Sequence, residues 1–305
     1  KLYDLTLPEG LNTVNSEFGH SLTDSLFYFS SLRADSVGMN QEIYDPSYTN
    51  QLYTLKWEEG QIAERLKAVS TDKMNTGNGC FSKDKKRFYF SQCSTQENGF
   101  NCQIAVVRIE NGKWGNPNLL GEIINEPGAN TTTPAIAEID GEEWLIFASN
   151  RKDGEGGMDL YFAVMKNNGN QFGKVKAFSA INSIDNEITP WFDQKTQRLY
   201  FASQWWDGLG GYDIHYSALE NGKFSAPKNA GIPFNSPAND TYFFAAGDSS
   251  FVTSNRLGVL YAKNPTCCSD IFAYTKPITI VPVTKKETLA DLNKRLPVTL
   301  YFHND

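Results

Sequence analysis

The sequence lacks both a cluster of positive charge and a long apolar segment. Its 28 lysines and arginines are outnumbered by 35 acidic residues, which gives a formal net charge of −7. Without a basic stripe a surface cannot neutralise phosphates, so nucleic acid is not expected as a partner. The longest apolar stretch, residues 278–283, contains a proline and is far shorter than the roughly 20 residues that span a bilayer. We therefore expect no membrane span.

A signal-peptide pattern is also missing, because residue 1 leads directly into strand-like sequence. We interpret the chain as a mature or excised part of a longer protein, a lipoprotein being one form of it. Any signal or lipid anchor would then lie outside this sequence.

Histidine is scarce, and its three copies are scattered at His20, His215 and His303. No zinc triad, HExxH motif or Ser-His-Asp signature is present. The sequence therefore predicts neither a zinc site nor a hydrolase triad.

The five cysteines fall into three groups. Cys93 and Cys102 lie at matching feet of one loop, which predicts a disulfide in an oxidising compartment. Cys267 and Cys268 are adjacent and could form a vicinal bridge, pair with another chain or remain thiols. Cys80 lies in a predicted strand and is expected to be a buried apolar residue.

Repetition, by contrast, runs through most of the chain. One strand pattern occurs five times at intervals of about 55 residues, as FYFSSLR, FYFSQCS, LIFASNR, LYFASQW and FVTSNR, which end at Arg33, Ser94, Arg151, Trp205 and Arg256. A second strand pattern follows each copy, starting at Gln51, Gln103, Asp159, Asp213 and Asp270. Turn signals such as Asn-Gly come next in most copies, and an Asn-rich link leads to the next unit.

Four antiparallel strands in a unit of this length indicate the blade of a β-propeller. We predict an all-β, five-bladed propeller over residues 1–283, with blades at about 17–70, 75–125, 130–181, 186–234 and 239–283. Residues 2–7 are expected to supply the outer strand of the last blade and to close the ring. A sixth blade is possible only if residues 278–283 begin one. Residues 284–305 are assigned to a linker and the start of a following domain.

The repeat resembles that of a known family. FSKDKKRFYFSQ and the repeated YFASNR…GG-x-D-[LI]-Y are similar to WD40-like repeats of the TolB type. The long loops in SNRKDGEGGMDLY and SQWWDGLGGYDIH resemble the propeller of OmpA-like envelope proteins of the type IX secretion and gliding machinery. This resemblance implies a location in the periplasm at the outer membrane, a neighbouring peptidoglycan-binding domain, and other envelope proteins as partners.

Two charged residue types recur at the feet of the Gly-rich loops. Arg33, Arg151 and Arg256 follow one strand, and Asp159, Asp213 and Asp270 begin the next. An arginine and an aspartate can pair, or the aspartates can accept backbone N–H groups, and either arrangement fixes the loop. Because each blade contributes one aspartate, these carboxylates lie too far apart to share a metal ion.

Three further carboxylates precede the predicted inner strands, at Glu17, Glu187 and Asp240. They could ring one mouth of the central channel, where paired carboxylates can hydrolyse glycosides and several oxygen ligands suit calcium. Since the three are repeat equivalents, capping of the links is the interpretation we favour. No cofactor is predicted, with calcium as an alternative.

Aromatic and apolar side chains on the Gly-rich loops form a predicted partner-binding rim, which consists of Trp205, Trp206, Tyr212, Met158 and Phe100. Neighbouring residues of a strand face opposite ways, so Trp205 and Trp206 are not both buried on one side. The alternative is that both rings pack between blades.

From these features we predict a non-catalytic interaction scaffold of a bacterial cell envelope, and not an enzyme. The alternative is a carbohydrate-binding or glycoside-hydrolysing propeller that uses the channel-mouth carboxylates.

Overall fold

A computed structural model describes residues 5–23, 26–33, 49–56, 60–71, 74–97, 99–261 and 268–274. Within these residues the regular structure consists of 23 β-strands without a helix. Accordingly, no helix in the described part of the chain is long and apolar enough to cross a membrane. The predicted segments 278–283 and 284–305 lie outside the described residues.

The strands form five antiparallel sheets that follow one another along the chain. Blade 1 contains β2 (Glu17–Thr23), β3 (Leu26–Ser31), β4 (Gln51–Lys56) and β5 (Glu64–Arg65). Blade 2 contains β6 (Asn75–Phe81), β7 (Arg87–Gln96), β8 (Gly99–Glu110), β9 (Lys113–Trp114) and β10 (Asn118–Leu119). Blade 3 contains β11 (Thr131–Ile139), β12 (Glu142–Ser149), β13 (Asp159–Lys166), β14 (Gln171–Phe172) and β15 (Lys176–Ala177).

Blade 4 contains β16 (Glu187–Asp193), β17 (Arg198–Ser203), β18 (Asp213–Glu220), β19 (Lys223–Phe224) and β20 (Lys228–Asn229). Blade 5 contains β21 (Asp240–Ala246), β22 (Ser249–Ser254) and β23 (Asp270–Tyr274), and β1 (Leu5–Thr6) from the start of the chain completes it. In blades 2 to 4 the outer strand is split into two short segments that pair with the same neighbour. The predicted five-bladed propeller is thus confirmed.

The ring closes through the N-terminal strand, as the sequence predicted. Leu5 pairs with Tyr274 and Thr6 with Ala273, in antiparallel register. Since an unpaired strand edge can pair with other molecules, this strand protects the outer edge of blade 5.

Apolar side chains pack between neighbouring blades rather than within a single sheet. One core cluster joins Tyr89 and Ile104 of blade 2 to Leu145 and Phe147 of blade 3. Other clusters span the remaining blade junctions, including the one where the ring closes. Strands buried on both sides explain why each repeat carries a run such as FYF or LIF instead of a strict alternation.

The Asn-rich links are held by side chains that act as an extra peptide group. In four links an asparagine donates to the carbonyl and accepts from the N–H of one residue of the preceding blade; the pairs are Asn12 with Ile271, Asn125 with Ile104, Asn182 with Leu160 and Asn235 with Ile214. The link between blades 1 and 2 has no such asparagine. There Gln51 donates to the carbonyls of Thr71 and Met74.

Candidate ligand-binding site in the central channel

Every inner strand carries a β-bulge at the same height in the channel. The bulged residues have left-handed backbone angles: Gly19 (φ 60°), Asn78 (57°), Thr133 (48°), Thr189 (52°) and Tyr242 (52°). The strand register shifts at each of these points. Only the first is glycine, so four side chains occupy a strained conformation at one level of the channel.

Tyr242 reaches across this level. Its hydroxyl donates to Asn78 Oδ1 at 2.8 Å, although the two residues belong to blades that are not neighbours. Its backbone N–H donates to Thr189 Oγ1 at 3.2 Å, and its ring centroid lies 5.7 Å from that of Phe18. These contacts obstruct the channel near its middle.

Beyond this obstruction, towards the turns between the first and second strands, the channel widens into a cavity of about 250 Å³. We call it the channel cavity. Its side-chain walls include Ser21, Leu22, Cys80, Phe81, Lys83, Ile136, Trp191 and Phe244, and its floor is the ring of bulged residues. Among the described residues that line it, none is a carboxylate.

Two features of the channel cavity suit a polar ligand with an apolar face. The half-buried ring of Trp191 is held by Phe243 and Phe244, whose centroids lie 5.6 and 5.4 Å away. On the floor, Thr133 is only 6% exposed, and its hydroxyl has no hydrogen-bond partner among the described residues. A buried hydroxyl without a partner costs about 1–3 kcal/mol, which a bound acceptor or donor would recover.

His20 and Cys80, two of the titratable residues that line the cavity, are neutral at pH 7, and Lys83 and Lys85 line it as well. Burial lowers the pKa of His20 to about 3, and its ring packs between phenylalanines of blades 1 and 5. Burial also raises the pKa of the Cys80 thiol, with a smaller contribution from Glu143. Cys80 is a free, half-buried thiol on the cavity wall.

The predicted channel-mouth carboxylates do not face this cavity. Glu17, Glu187 and Asp240 are each 0% exposed. Glu187 accepts from the N–H and hydroxyl of Ser183, at 2.8 and 2.6 Å, and from the hydroxyl of Ser203 at 2.7 Å. Each of the three thus caps the start of its link.

Their electrostatic settings differ. Burial raises the pKa of all three carboxyls. Arg33 counteracts this effect on Glu17, and Arg256, at 2.6 Å, counteracts it on Asp240. For Glu187 only hydrogen bonds counteract burial, while the charge of Asp159 adds to it.

The arginines at the feet of the loops donate to the links and do not pair with the loop aspartates. Arg33, Arg151 and Arg256 donate to the carbonyls of Leu11, Ile124 and Phe234, which occupy one repeat position. The aspartates accept backbone N–H groups of their own loops: Glu155 and Gly156 for Asp159, Leu209 and Gly210 for Asp213, and Leu260 for Asp270. The sequence left two roles open for the aspartates, pairing with the arginines or accepting backbone N–H groups, and they adopt the second.

The predicted rim is divided between buried and exposed side chains. Trp206 donates its indole N–H to Ile181 O at 3.0 Å, the carbonyl that an arginine holds in other blades. Met158 and Tyr212 pack against core clusters. Trp205 and Phe100 are 51% and 58% exposed. The predicted partner contacts stay predictions, and only these last two side chains are extensively accessible to a partner.

The remaining site predictions concern cysteine, histidine and metal. Cys93 and Cys102 form a disulfide. Cys268 is disulfide-bonded, whereas Cys267 and His303 lie outside the described residues. Among the described residues no cluster of three or more His, Cys, Asp or Glu could hold a metal ion, and a calcium site stays a prediction.

Sequence analysis did not single out the channel cavity. Tyr242, Asn78 and Thr133 carry no motif, because a left-handed bulge at a residue other than glycine leaves no signature in the sequence. Trp191 occupies the same inner-strand position as Cys80, and it both lines the cavity and packs against phenylalanines of blade 5.

No protein-family model matches this chain, and no curated protein matches it either. Solved structures do share its fold. An α-L-arabinofuranosidase from Lactobacillus brevis has a TM-score of 0.53 and 12% identity over 86% of this chain and 91% of its own. An exo-β-1,3-galactanase from Phanerochaete chrysosporium has a TM-score of 0.54 and 10% identity, over 89% of this chain and 63% of its own.

A third structure is a GH43 β-xylosidase/α-arabinofuranosidase from a compost metagenome. Its TM-score is 0.51 and its identity 12%, over 89% of this chain and 94% of its own. At such identities these likenesses establish the fold alone.

Two predictions are corrected by this result. The structural neighbours are glycoside-hydrolase propellers rather than TolB-type or OmpA-like proteins, so the finer part of the resemblance is not supported. The prediction of a non-catalytic scaffold, and with it the prediction that the chain is not an enzyme, is wrong, since these neighbours favour the carbohydrate-active alternative. The sequence misled us because strand patterns and Gly-Gly loops specify a blade and carry no information on what its channel binds.

Proposed function

We propose that this chain is a carbohydrate-active propeller that binds a glycan in the channel cavity. The observation that carries the proposal is the presence of Trp191 and the unpartnered Thr133 hydroxyl in one cavity. The structural neighbours are named as glycosidases, which agrees with this proposal.

The chemistry of the cavity matches that of a sugar. A pyranose or furanose presents C–H groups that pack on an indole face and hydroxyls that exchange hydrogen bonds with neutral polar groups. Trp191 offers the first contact, and Thr133, Asn78 and Ser21 offer the second. At about 250 Å³ the cavity is slightly below the roughly 300–1,000 Å³ of drug-sized ligand pockets, so it suits the end of a glycan rather than a long internal segment.

Binding is tested by titrating the protein with arabino-, xylo- and galacto-oligosaccharides and following the heat released. Trp191→Phe keeps most of the packing, and we expect it to weaken binding about 10-fold, equivalent to 1.4 kcal/mol. Trp205→Ala, on the exposed loop, is the matched control and should bind normally. A glycan affinity that Trp191→Phe leaves unchanged would exclude the channel cavity as the site.

Hydrolysis is a second candidate function, and the naming of the structural neighbours as glycosidases favours it. Glycosidases use two carboxylates. Glu17, Glu187 and Asp240 are buried in their links and do not line the channel cavity, so they are not assigned this role. Release of nitrophenol from aryl arabinofuranosides, xylosides and galactosides measures the activity. Release no faster than in buffer alone would exclude hydrolysis of these substrates.

We also propose that the protein works in an oxidising compartment, with the periplasm as the leading candidate. The Cys93–Cys102 disulfide supports this location, because such bonds persist outside the reducing cytosol. Thiol labelling of protein taken from its native compartment is the test, and two reactive thiols at these positions would contradict the proposal.

A further inference from the structure

Blade 3 contains a second cavity, of about 370 Å³, on its outer side. We call it the blade-3 pocket. It is bounded by the link that enters the blade, by the foot of the Gly-rich loop and by the outer strand segments. Its lining residues are Ile123, Glu126, Arg151, Asp153, Tyr161, Phe172, Gly173, Lys174, Val175 and Ala177. It shares no lining residue with the channel cavity.

Arg151 lines this pocket and lacks the ion pair of its repeat equivalents. Arg33 Nη2 lies 3.4 Å from Glu17, and Arg256 Nη2 lies 2.6 Å from Asp240. In blade 3 the corresponding residue is Thr131, which offers no charge. The carboxylate that Arg151 does meet is the partly exposed Glu126, whose Oε2 lies 3.9 Å from Nη1.

The donors of Arg151 are therefore incompletely used. Its Nη2 donates to Ile124 O at 2.6 Å and its Nε to Ser149 Oγ at 3.4 Å. No acceptor among the described residues lies within hydrogen-bond distance of Nη1. The side chain is nevertheless 93% buried, so bulk water does not fully solvate this charge.

Tyr161 lies directly beneath this guanidinium, and its hydroxyl lacks the hydrogen bond that its repeat equivalents in blades 1 and 4 make. Its ring centroid lies 4.9 Å from Arg151 Cζ, and the residue is 2% exposed. Its hydroxyl is buried without a partner among the described residues. In blade 1 the equivalent Tyr53 donates to Arg33 O at 3.0 Å, and in blade 4 the equivalent His215 contacts Asp207 O at 3.1 Å.

Arg151 and Tyr161 thus both line this pocket, and each has a donor without a hydrogen-bond partner among the described residues. A buried donor without a partner, as the Tyr161 hydroxyl is, is rare in folded proteins. Burial raises the pKa of Tyr161 to about 12, so its hydroxyl keeps its proton. A planar anion can accept from a guanidinium and a hydroxyl together. Glu126 and Asp153 also line the pocket, and their charge disfavours ligands with several negative charges.

We propose that the blade-3 pocket binds the carboxylate of a small organic acid, held by Arg151 Nη1 and the Tyr161 hydroxyl. Lys174 stands on the wall as a second cation, and Phe172, Val175 and Ile123 provide apolar contact for the rest of the molecule. The carboxylate can belong to an acidic sugar or to a simple aliphatic acid. The proposal does not depend on glycan binding in the channel cavity.

The test is calorimetric titration of the whole chain with D-glucuronate and with propionate, against D-glucose and propionamide as neutral counterparts. We expect the acids to bind at least about 10-fold more tightly than their neutral counterparts. Glucuronate binding more tightly than propionate would identify an acidic sugar, and equal affinities would identify the carboxylate alone. No preference for the acids over the neutral compounds would overturn the proposal.

Tyr161→Phe is the decisive variant, because it removes only a hydroxyl that has no hydrogen-bond partner among the described residues. We expect carboxylate affinity to fall about fivefold or more while the melting temperature stays the same or rises. Tyr53→Phe is the matched control: it removes a bonded hydroxyl, so it should lower the melting temperature and leave carboxylate binding intact. Unchanged affinity in Tyr161→Phe would refute the assignment. Trp191→Phe should bind carboxylates normally, which separates this site from the channel cavity.

Discussion

Blades 4 and 5 hold the same link carbonyl with different side chains. In blade 5 Arg256 donates to Phe234 O and also pairs with the buried Asp240. In blade 4 the indole of Trp206 donates to Ile181 O and brings no charge, so Glu187 is left with serine donors only. A repeat can therefore conserve a hydrogen bond while changing the electrostatics around it. Burial raises the pKa of both carboxyls, and an arginine opposes that rise at Asp240 but not at Glu187.

The largest effect is expected from breaking the blade 5 arrangement. Arg256→Met leaves Asp240 buried without its cation, and loss of one partner of a buried pair costs about 3–5 kcal/mol. Arg151→Met is the comparison, because Glu126 is partly exposed and 3.9 Å away. Its cost should be about 1–2 kcal/mol. Urea unfolding of both variants measures the difference, and equal costs would show that the ion pair of Arg256 adds nothing.

A smaller effect is expected in blade 4. Trp206→Phe removes the indole N–H and leaves Ile181 O without its donor, which should lower the free energy of unfolding by about 2 kcal/mol. Trp205→Phe, at a side chain that is 51% exposed, should change it by less than about 0.5 kcal/mol. If the two variants unfold alike, Trp206 does not act as the counterpart of the arginines.

A pH effect follows from Asp270 in blade 5. Burial, with a smaller contribution from Glu17, raises the pKa of Asp270 from 3.8 to about 7. The folded state therefore keeps a proton that the unfolded state loses, so stability declines as the pH rises from about 4 to 7. Asp270→Asn keeps an acceptor for Leu260 N–H and cannot ionise. It should flatten this dependence and raise stability at pH 8 by at least about 1 kcal/mol.

Unfolding at several pH values checks this expectation. The same measurement on Thr6→Ser, a nearby change without a titratable group, is the control and should keep the wild-type slope. A wild-type slope in Asp270→Asn would mean that Asp270 does not carry the pH dependence.

The smallest effect concerns stability at Glu187. Glu187→Gln removes a charge that has no cationic partner among the described residues, and the glutamine side-chain oxygen can still accept from Ser183 N–H. We expect a change of less than about 1 kcal/mol in the free energy of unfolding at pH 7. Asp240→Asn, which disrupts the pair with Arg256, should cost more. The reverse order would contradict the electrostatic difference between the two blades.

The fold could be predicted from the sequence because it depends on local repeats. Apolar runs, Asn-Gly turns and Asn-rich links recur at a fixed interval, and each has a local physical cause, as Asn182 shows by binding both backbone groups of Leu160. Ring closure was predictable for the same reason, since residues 2–7 match the missing outer strand.

The candidate sites could not be predicted, because they depend on departures from the repeat. Tyr242 and Asn78 meet across the channel although 164 residues separate them. Tyr161 and Tyr53 occupy the same repeat position, yet Tyr53 donates to Arg33 O whereas the Tyr161 hydroxyl has no partner among the described residues. Trp206 could have been predicted, because it lies one residue beyond the position at which blades 1, 3 and 5 carry the arginine donor.

The pairing of Thr6 with Ala273 has a consequence for how the molecule is made. A chain that is synthesised from its N-terminus presents this strand long before the partner of the strand exists. Until residue 274 has emerged, this strand has no neighbour to pair with, and blade 5 lacks its outer strand. Completion of the fold then requires an encounter between segments at opposite ends of the described chain, and contacts so distant in sequence form slowly. Nothing else in the described part of the chain pairs with this strand during the interval, so the cell must protect it.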